Sequence, residues 1–136
     1  MTELIEETVA LPLEAPTLRV VPMPYDANHN GDIFGGWIMS QVDVAGGVVA
    51  CLRAKGRVTT VSVNTFVFKQ PVRVGDVVSF YAKIVETGRT SIKVDVAVYA
   101  ERNLIEPQAV KVTESVLTYV AITQQGEKRE LPPLEQ

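Results

Sequence analysis

Beyond residue 56 the chain alternates apolar and polar positions with a period of two, whereas residues 37–53 are apolar almost without a break. The first pattern is that of strands with one face on a core; the second run is too long for a strand. Within it Met39, Gln41, Ala45, Ala50, Cys51 and Leu52 suit a helix, while Val42, Val44, Val48 and Val49 favour a strand. Length decides for the helix. A helix apolar on nearly every side has to be wrapped by other structure. Gly46 and Gly47 in its interior each cost about 1 kcal/mol relative to alanine, which points to a sheet or a second helix approaching closely.

Strands are predicted at 18–21, 58–68, 77–85, 91–99 and 109–122. Val74-Gly75-Asp76 and Glu86-Thr87-Gly88-Arg89 read as tight turns between antiparallel neighbours, and 101–107 as a longer polar connection. The predicted fold class is α+β, a curved antiparallel sheet with the long helix on its concave face. One domain covers residues 17–126. Residues 1–16, acidic and broken by Pro12 and Pro16, read as a flexible arm, and 127–136 as a charged tail. The outer face and edges of such a sheet are open to pairing with another copy.

Composition narrows the function classes. The 136 residues are 46% hydrophobic and 21% charged, apolar enough for a real core. Lys and Arg total 13 against 16 for Asp and Glu, so no domain-wide basic field serves a nucleic acid or an anionic membrane. Cys51 is the only cysteine, which rules out an intramolecular disulfide and cysteine-rich metal sites. The acidic start is unlike a signal peptide, and Ser40, Gln41 and Asp43 interrupt the apolar helix. A soluble cytoplasmic protein without membrane insertion is the expectation.

Asp43 stands between Val42 and Val44. An ionised carboxylate in apolar surroundings costs several kcal/mol unless paired or hydrogen-bonded. Two readings are open: a narrow polar strip shared with Ser40 and Gln41, or a reactive group. The loop running into the helix is Ala27-Asn28-His29-Asn30-Gly31-Asp32-Ile33-Phe34-Gly35-Gly36. Gly35 and Gly36 at a helix start expose backbone N–H groups that can hold a carbonyl oxygen, as acyl transfer requires; a plain tight turn is the alternative. Asn28 is either a turn former or the residue that orients a water or a carbonyl. His29, the only histidine, has no recognisable ligand spacing around it, and no metal is expected. Arg89, Thr90 and Ser91 would suit a phosphate or simply form an exposed hairpin turn. Phe66 and Phe68 read as core or interface residues. Phosphate-binding glycine motifs for nucleotides are absent.

The run from Ala27 through Gly36, Trp37, Asp43 and Gly47 resembles the signature of YciA-type short-chain acyl-CoA thioester hydrolases, which belong to the hotdog superfamily. Arg57-Val58-Thr59-Thr60-Val61, Pro71-Val72-Arg73-Val74-Gly75-Asp76-Val77-Val78 and Gly88-Arg89-Thr90-Ser91-Ile92 extend the likeness across nearly the whole chain. The resemblance implies a hotdog fold, in which a sheet wraps a central helix. It also implies homodimers with active sites at the interface, often assembled as trimers of dimers. Asp43 would be general base or nucleophile in hydrolysis of an acyl-CoA of short to medium or broad chain length. Asn28 would reach it from the opposite subunit, and amides near Gly35 and Gly36 would polarise the thioester. Arg89, Thr90, Ser91 and Arg57 would hold the phosphates of coenzyme A, which is part of the substrate; no separate cofactor is implied. Asn64 departs from the pattern, because relatives often carry an acid there; a changed interface or substrate preference is the expectation. A hotdog dehydratase fits less well, since His29 has the wrong offset; the intact Asp43 and Asn28 count against a silent acyl-CoA sensor, and a purely structural oligomer would have no need for Asp43.

Overall fold

The apolar run forms one helix, and it is longer at both ends than expected. In the computed structural model, which describes residues 7–134, helix α1 spans Gly35–Ala54 and stops where Lys55 adopts the left-handed conformation at φ 52°. Around it run β1 (Thr8–Val9), β2 (Leu18–Val20), a 3-10 turn at Pro24–Asp26, β3 (Val58–Val63), β4 (Val77–Thr87), β5 (Ser91–Arg102) and β6 (Gln108–Ala121). The sheet order is β1-β6-β5-β4-β2, with β3 also pairing β6, and every pairing is antiparallel. The α+β class is as expected.

Alternation explains which face takes the helix. In β5, Ile92, Val94, Val96, Val98 and Ala100 are fully buried, and their odd-numbered neighbours point the other way. Against them α1 buries Ile38, Val42, Ala45, Ala50 and Ala54. At 20 residues and mean hydropathy 1.3 the helix has the length and composition of a membrane span, yet its inner face is committed to this core. The pairings β3–β6, β4–β5 and β5–β6 each contain a register shift, and such bulges bend a sheet around what it covers.

Three expectations change. The strand predicted at 58–68 ends at Val63. Beyond it, hydroxyls of β6 catch the carbonyls of the departing chain: Ser115 donates to Asn64 O and Thr113 to Val67 O, both at 2.9 Å. The period of two continues while the regular ladder gives way to scattered main-chain bonds, Asn64 N–H to Val116 O and Lys69 N–H to Val112 O. Within the stretch read as an arm, Thr8 and Val9 pair with Val110 and Ala109 of β6. The segment after residue 126 turns back on the fold: Arg129 N–H donates to Ala121 O, Leu131 N–H to Arg89 O, and Leu131 packs on the core. Arg53 holds the Pro132 carbonyl at 2.7 Å.

The sheet's outer face carries a carboxylate pair. Burial, then a hydrogen bond and charge from Glu114, push Asp95 up to about 6, while Lys111 holds Glu114 at 2.6 Å. Because the folded value is raised, the stability it contributes is present below about pH 4 and lost as pH rises through 6. Asp95→Asn is therefore expected to raise Tm at pH 8. The gain, about 1 kcal/mol or roughly 3 °C after allowing for solvent screening, should fade by pH 4. Thermal melts of both proteins across that range check it; a pH-independent difference would contradict it.

Candidate active site

Asp43 is answered by two hydroxyls from the sheet. Thr60 of β3 and Tyr119 of β6 are direct partners in the register. Thr60 donates to Asp43 Oδ1 at 2.7 Å and the Tyr119 hydroxyl lies 2.9 Å from the same oxygen. Tyr119 is also 2.9 Å from the main-chain carbonyl of Asp43. The glycine pair in the helix explains how a tyrosine gets so close: a Cβ on Gly46 would stand 2.4 Å from the Tyr119 hydroxyl. Gly47 has ordinary room, with the ring 3.9 Å away. The close approach expected at this pair is the sheet's, at Gly46. Burial first, and the hydrogen bond to Asp43 second, push the ionisation of Tyr119 well above the ordinary phenol range, so it serves as a donor.

Asn28 is a turn former. Its Oδ1 accepts from the N–H groups of Asn30 at 2.9 Å and Asp32 at 3.2 Å, closing a loop in which Gly31 takes φ +84°. With the oxygen committed, the amide NH2 is what this side chain has left to offer. The loop is clipped to the segment before β4: Ile33 N–H donates to Val72 O and Val74 N–H to Gly31 O. That segment is tied in turn by Asp76, which is 4% exposed. Asp76 Oδ2 accepts from Arg73 N–H at 2.9 Å and from Arg102 Nε at 3.1 Å. Arg102 also reaches the Pro71 carbonyl.

Gly35 and Gly36 open α1, where the first N–H groups have no acceptor within the helix. A Cβ on Gly35 would touch the Phe68 ring at 3.4 Å, and Phe66 stacks behind Phe68 at 5.9 Å. Gly35 borders a cleft of about 330 Å³ with Ile33, Ile38, Phe68 and Val72 in its walls. Asp43 lies a little over two helical turns further on, a rise of about 12 Å.

The other predicted residues gather at one end of the sheet. Arg57 O accepts from Ile122 N–H on one side of β6, and Thr90 O accepts from Ala121 N–H on the other. Arg57 Nη1 donates to Gln124 O at 2.9 Å. Arg89, largely exposed, meets Glu130 at 3.3 Å. Ser91 Oγ fills the space a Cβ on Gly88 would need, at 2.6 Å. Arg129 joins this group unforeseen, donating to Ile122 O at 3.0 Å. His29 is exposed at the loop tip. Among the described residues no three His, Cys, Asp or Glu side chains are grouped to hold a metal ion. Asn64 is exposed, its N–H bonded to Val116 O just past β3.

Thr60 and Tyr119 were not singled out from the sequence. Thr60 lies in a quoted motif, and Tyr119 is a polar-tipped aromatic among inward positions of the last strand. Only the β3–β6 register brings both to Asp43.

An apolar helix wrapped by an antiparallel sheet, with one carboxylate held at its middle and a glycine start beside a loop asparagine, is matched by known proteins. The thioesterase superfamily model matches residues 30–106, and the chain belongs to that family. Within the family it is closely related to YciA-type acyl-CoA thioesterases. It is 47% identical over 117 residues to the acyl-CoA thioester hydrolase YciA of Escherichia coli K12, covering 85% of this chain and 89% of that protein. The hexameric thioesterase of Yersinia pestis superposes with a TM-score of 0.83 at 46% identity, over 90% of this chain and 99% of that one. A hexameric hotdog-fold thioesterase of Campylobacter jejuni does so with a TM-score of 0.83 at 43% identity, over 88% and 91%.

Proposed function

We propose that this chain hydrolyses acyl-CoA thioesters of short to medium or broad chain length to the free acid and coenzyme A, with Asp43 as general base on water or as nucleophile. The observation that carries the reading is a carboxylate held in the middle of an apolar helix with one oxygen left unbonded among the described residues. Attack on the thioester carbonyl builds negative charge on its oxygen, and the N–H groups of Gly35 and Gly36, which have no acceptor within the helix, are suited to receive it. They stand about 12 Å along the helix from Asp43 of the same chain, too far for both to touch one thioester group.

Two chains resolve this. In a two-fold dimer the glycine start and Asn28 of one subunit meet Asp43 of the other. Asn28 then offers its NH2 to the attacking water or the carbonyl. The single chain also has a face to bury: Met39, Val44, Val48 and Leu52 of α1 and Val61 and Val63 of β3 are 43–75% exposed. Contiguous apolar surface of this kind marks an interface. The solved relatives described as hexameric fit a trimer of dimers.

Coenzyme A would run toward the basic end of the sheet. Arg57 precedes Thr60 by three residues, about 10 Å along β3, a span the pantetheine arm covers. Arg57, Arg89, Thr90 and Ser91 take the phosphates in this reading, and Asn64, next to the dimer-forming strand, bears on substrate preference. The location is the cytoplasm, where acyl-CoA occurs and where an exposed free thiol such as Cys51 stays reduced.

Thiol release by the purified protein over a panel from acetyl- to palmitoyl-CoA tests the activity. Free coenzyme A should appear with at least one member. Silence across the whole panel would turn the reading toward an acyl-CoA sensor.

A further inference from the structure

We propose that Tyr119 is a positioning residue for the hydrolysis: admitted by Gly46, its hydroxyl pins Asp43 Oδ1 and so leaves Oδ2 as the reacting oxygen. The inference rests on Asp43 being the catalytic carboxylate.

A carboxylate oxygen has room for two donors, and Oδ1 has them: Thr60 at 2.7 Å and Tyr119 at 2.9 Å. Oδ2 has no hydrogen-bond partner among the described residues. The two oxygens of one side chain are thus made unequal by the sheet. With one donor alone, the carboxylate could swing about it and exchange its oxygens; two donors from adjacent strands fix its plane. Tyr119 itself is held from both sides. Its ring is 2% exposed, and its hydroxyl sits at 2.9 Å from the Asp43 main-chain carbonyl. The single hydroxyl proton is shared between that carbonyl and Oδ1, and the ionised oxygen is the stronger acceptor.

Gly46 is the other half of the device. Any Cβ there would lie 2.4 Å from the hydroxyl and 3.1 Å from the ring carbons, so a side chain forces Tyr119 off Asp43. The helix gives up about 1 kcal/mol of propensity at this position relative to alanine. The contact it gains is this one.

The test compares kcat, KM and the pH dependence of kcat/KM for wild type, Tyr119→Phe, Gly46→Ala and the double variant, with thermal melts of each. Tyr119→Phe keeps the ring and should lower kcat about 10-fold, the scale of a hydrogen bond to a charged group. KM should stay within about twofold, since Tyr119 does not contact substrate. The pH profile of kcat/KM should change as well, which a merely structural loss would not bring about. Gly46→Ala should reproduce the kcat loss, and the double variant should lose little more than either single one. Wild-type kcat and an unchanged pH profile in Tyr119→Phe would overturn the proposal. So would a loss that only follows the amount of folded protein, or losses that simply multiply in the double variant. If Asp43→Ala is fully active as well, the assignment of Asp43 itself has failed.

Discussion

Asp43→Ala is expected to lower acyl-CoA turnover by at least ~100-fold, the contribution of a positioned acid–base group, with the fold intact. The structure separates the two effects. Among the described residues the side chain makes only the bonds from Thr60 and Tyr119, and Tyr119 keeps a second acceptor in the residue's own carbonyl, at 2.9 Å. Removing the carboxylate therefore leaves no buried hydroxyl stranded. Alanine is also the better helix former at an interior position. The melting temperature should stay within a few degrees of wild type or rise, as expected for a substitution that relieves a carboxylate in an apolar helix. Thiol release at saturating substrate and a thermal melt, run on the same preparation, read both quantities. Turnover that survives the substitution would remove Asp43 from the chemistry, whatever the melt shows.

The second large effect is recovery of activity by mixing. Asn28→Ala alone should be strongly impaired, because the loop asparagine is proposed to serve the partner's Asp43. When Asn28→Ala and Asp43→Ala chains are unfolded, mixed and refolded together, mixed dimers have one site with both residues intact and one with neither. With random pairing about a quarter of wild-type activity returns. Neither variant can show this alone. Recovery would be absent if Asn28 and Asp43 acted within one chain, since every site would then carry one defect. The 12 Å rise between Gly35 and Asp43 argues for the shared arrangement. Asn28 is additionally a loop closer through Asn30 and Asp32. Asn28→Asp, which keeps the accepting oxygen but loses the NH2, separates the two roles: it should preserve Tm and remain impaired.

Much of this protein was legible before its structure. Period-two alternation located β4, β5 and β6 to within a few residues, because a strand with one face on a core must alternate. Length and punctuation identified α1. The price of a carboxylate in apolar surroundings singled out Asp43. The interior glycines announced a close approach without saying whose. Where alternation misled, at 64–68, the pattern persisted because Phe66 and Phe68 still share one face. What changed was the partner of the carbonyls: hydroxyls of Thr113 and Ser115 donate to Val67 O and Asn64 O, and no periodicity records that exchange.

What the chain settles alone is therefore local: periodicity, turn chemistry, and the presence of one carboxylate in an apolar helix. Nothing local determines what meets that carboxylate. Thr60 and Tyr119 are far apart in sequence and become neighbours only through the β3–β6 register, which a one-residue slip would turn to the other face. That register, with Gly46 opening the path, decided that Asp43 is held by one oxygen and free at the other. The folding back of Arg129 and Leu131 beside Arg57 and Arg89 is of the same kind. Such contacts depend on where remote segments end up in space, and only the tertiary structure supplies that.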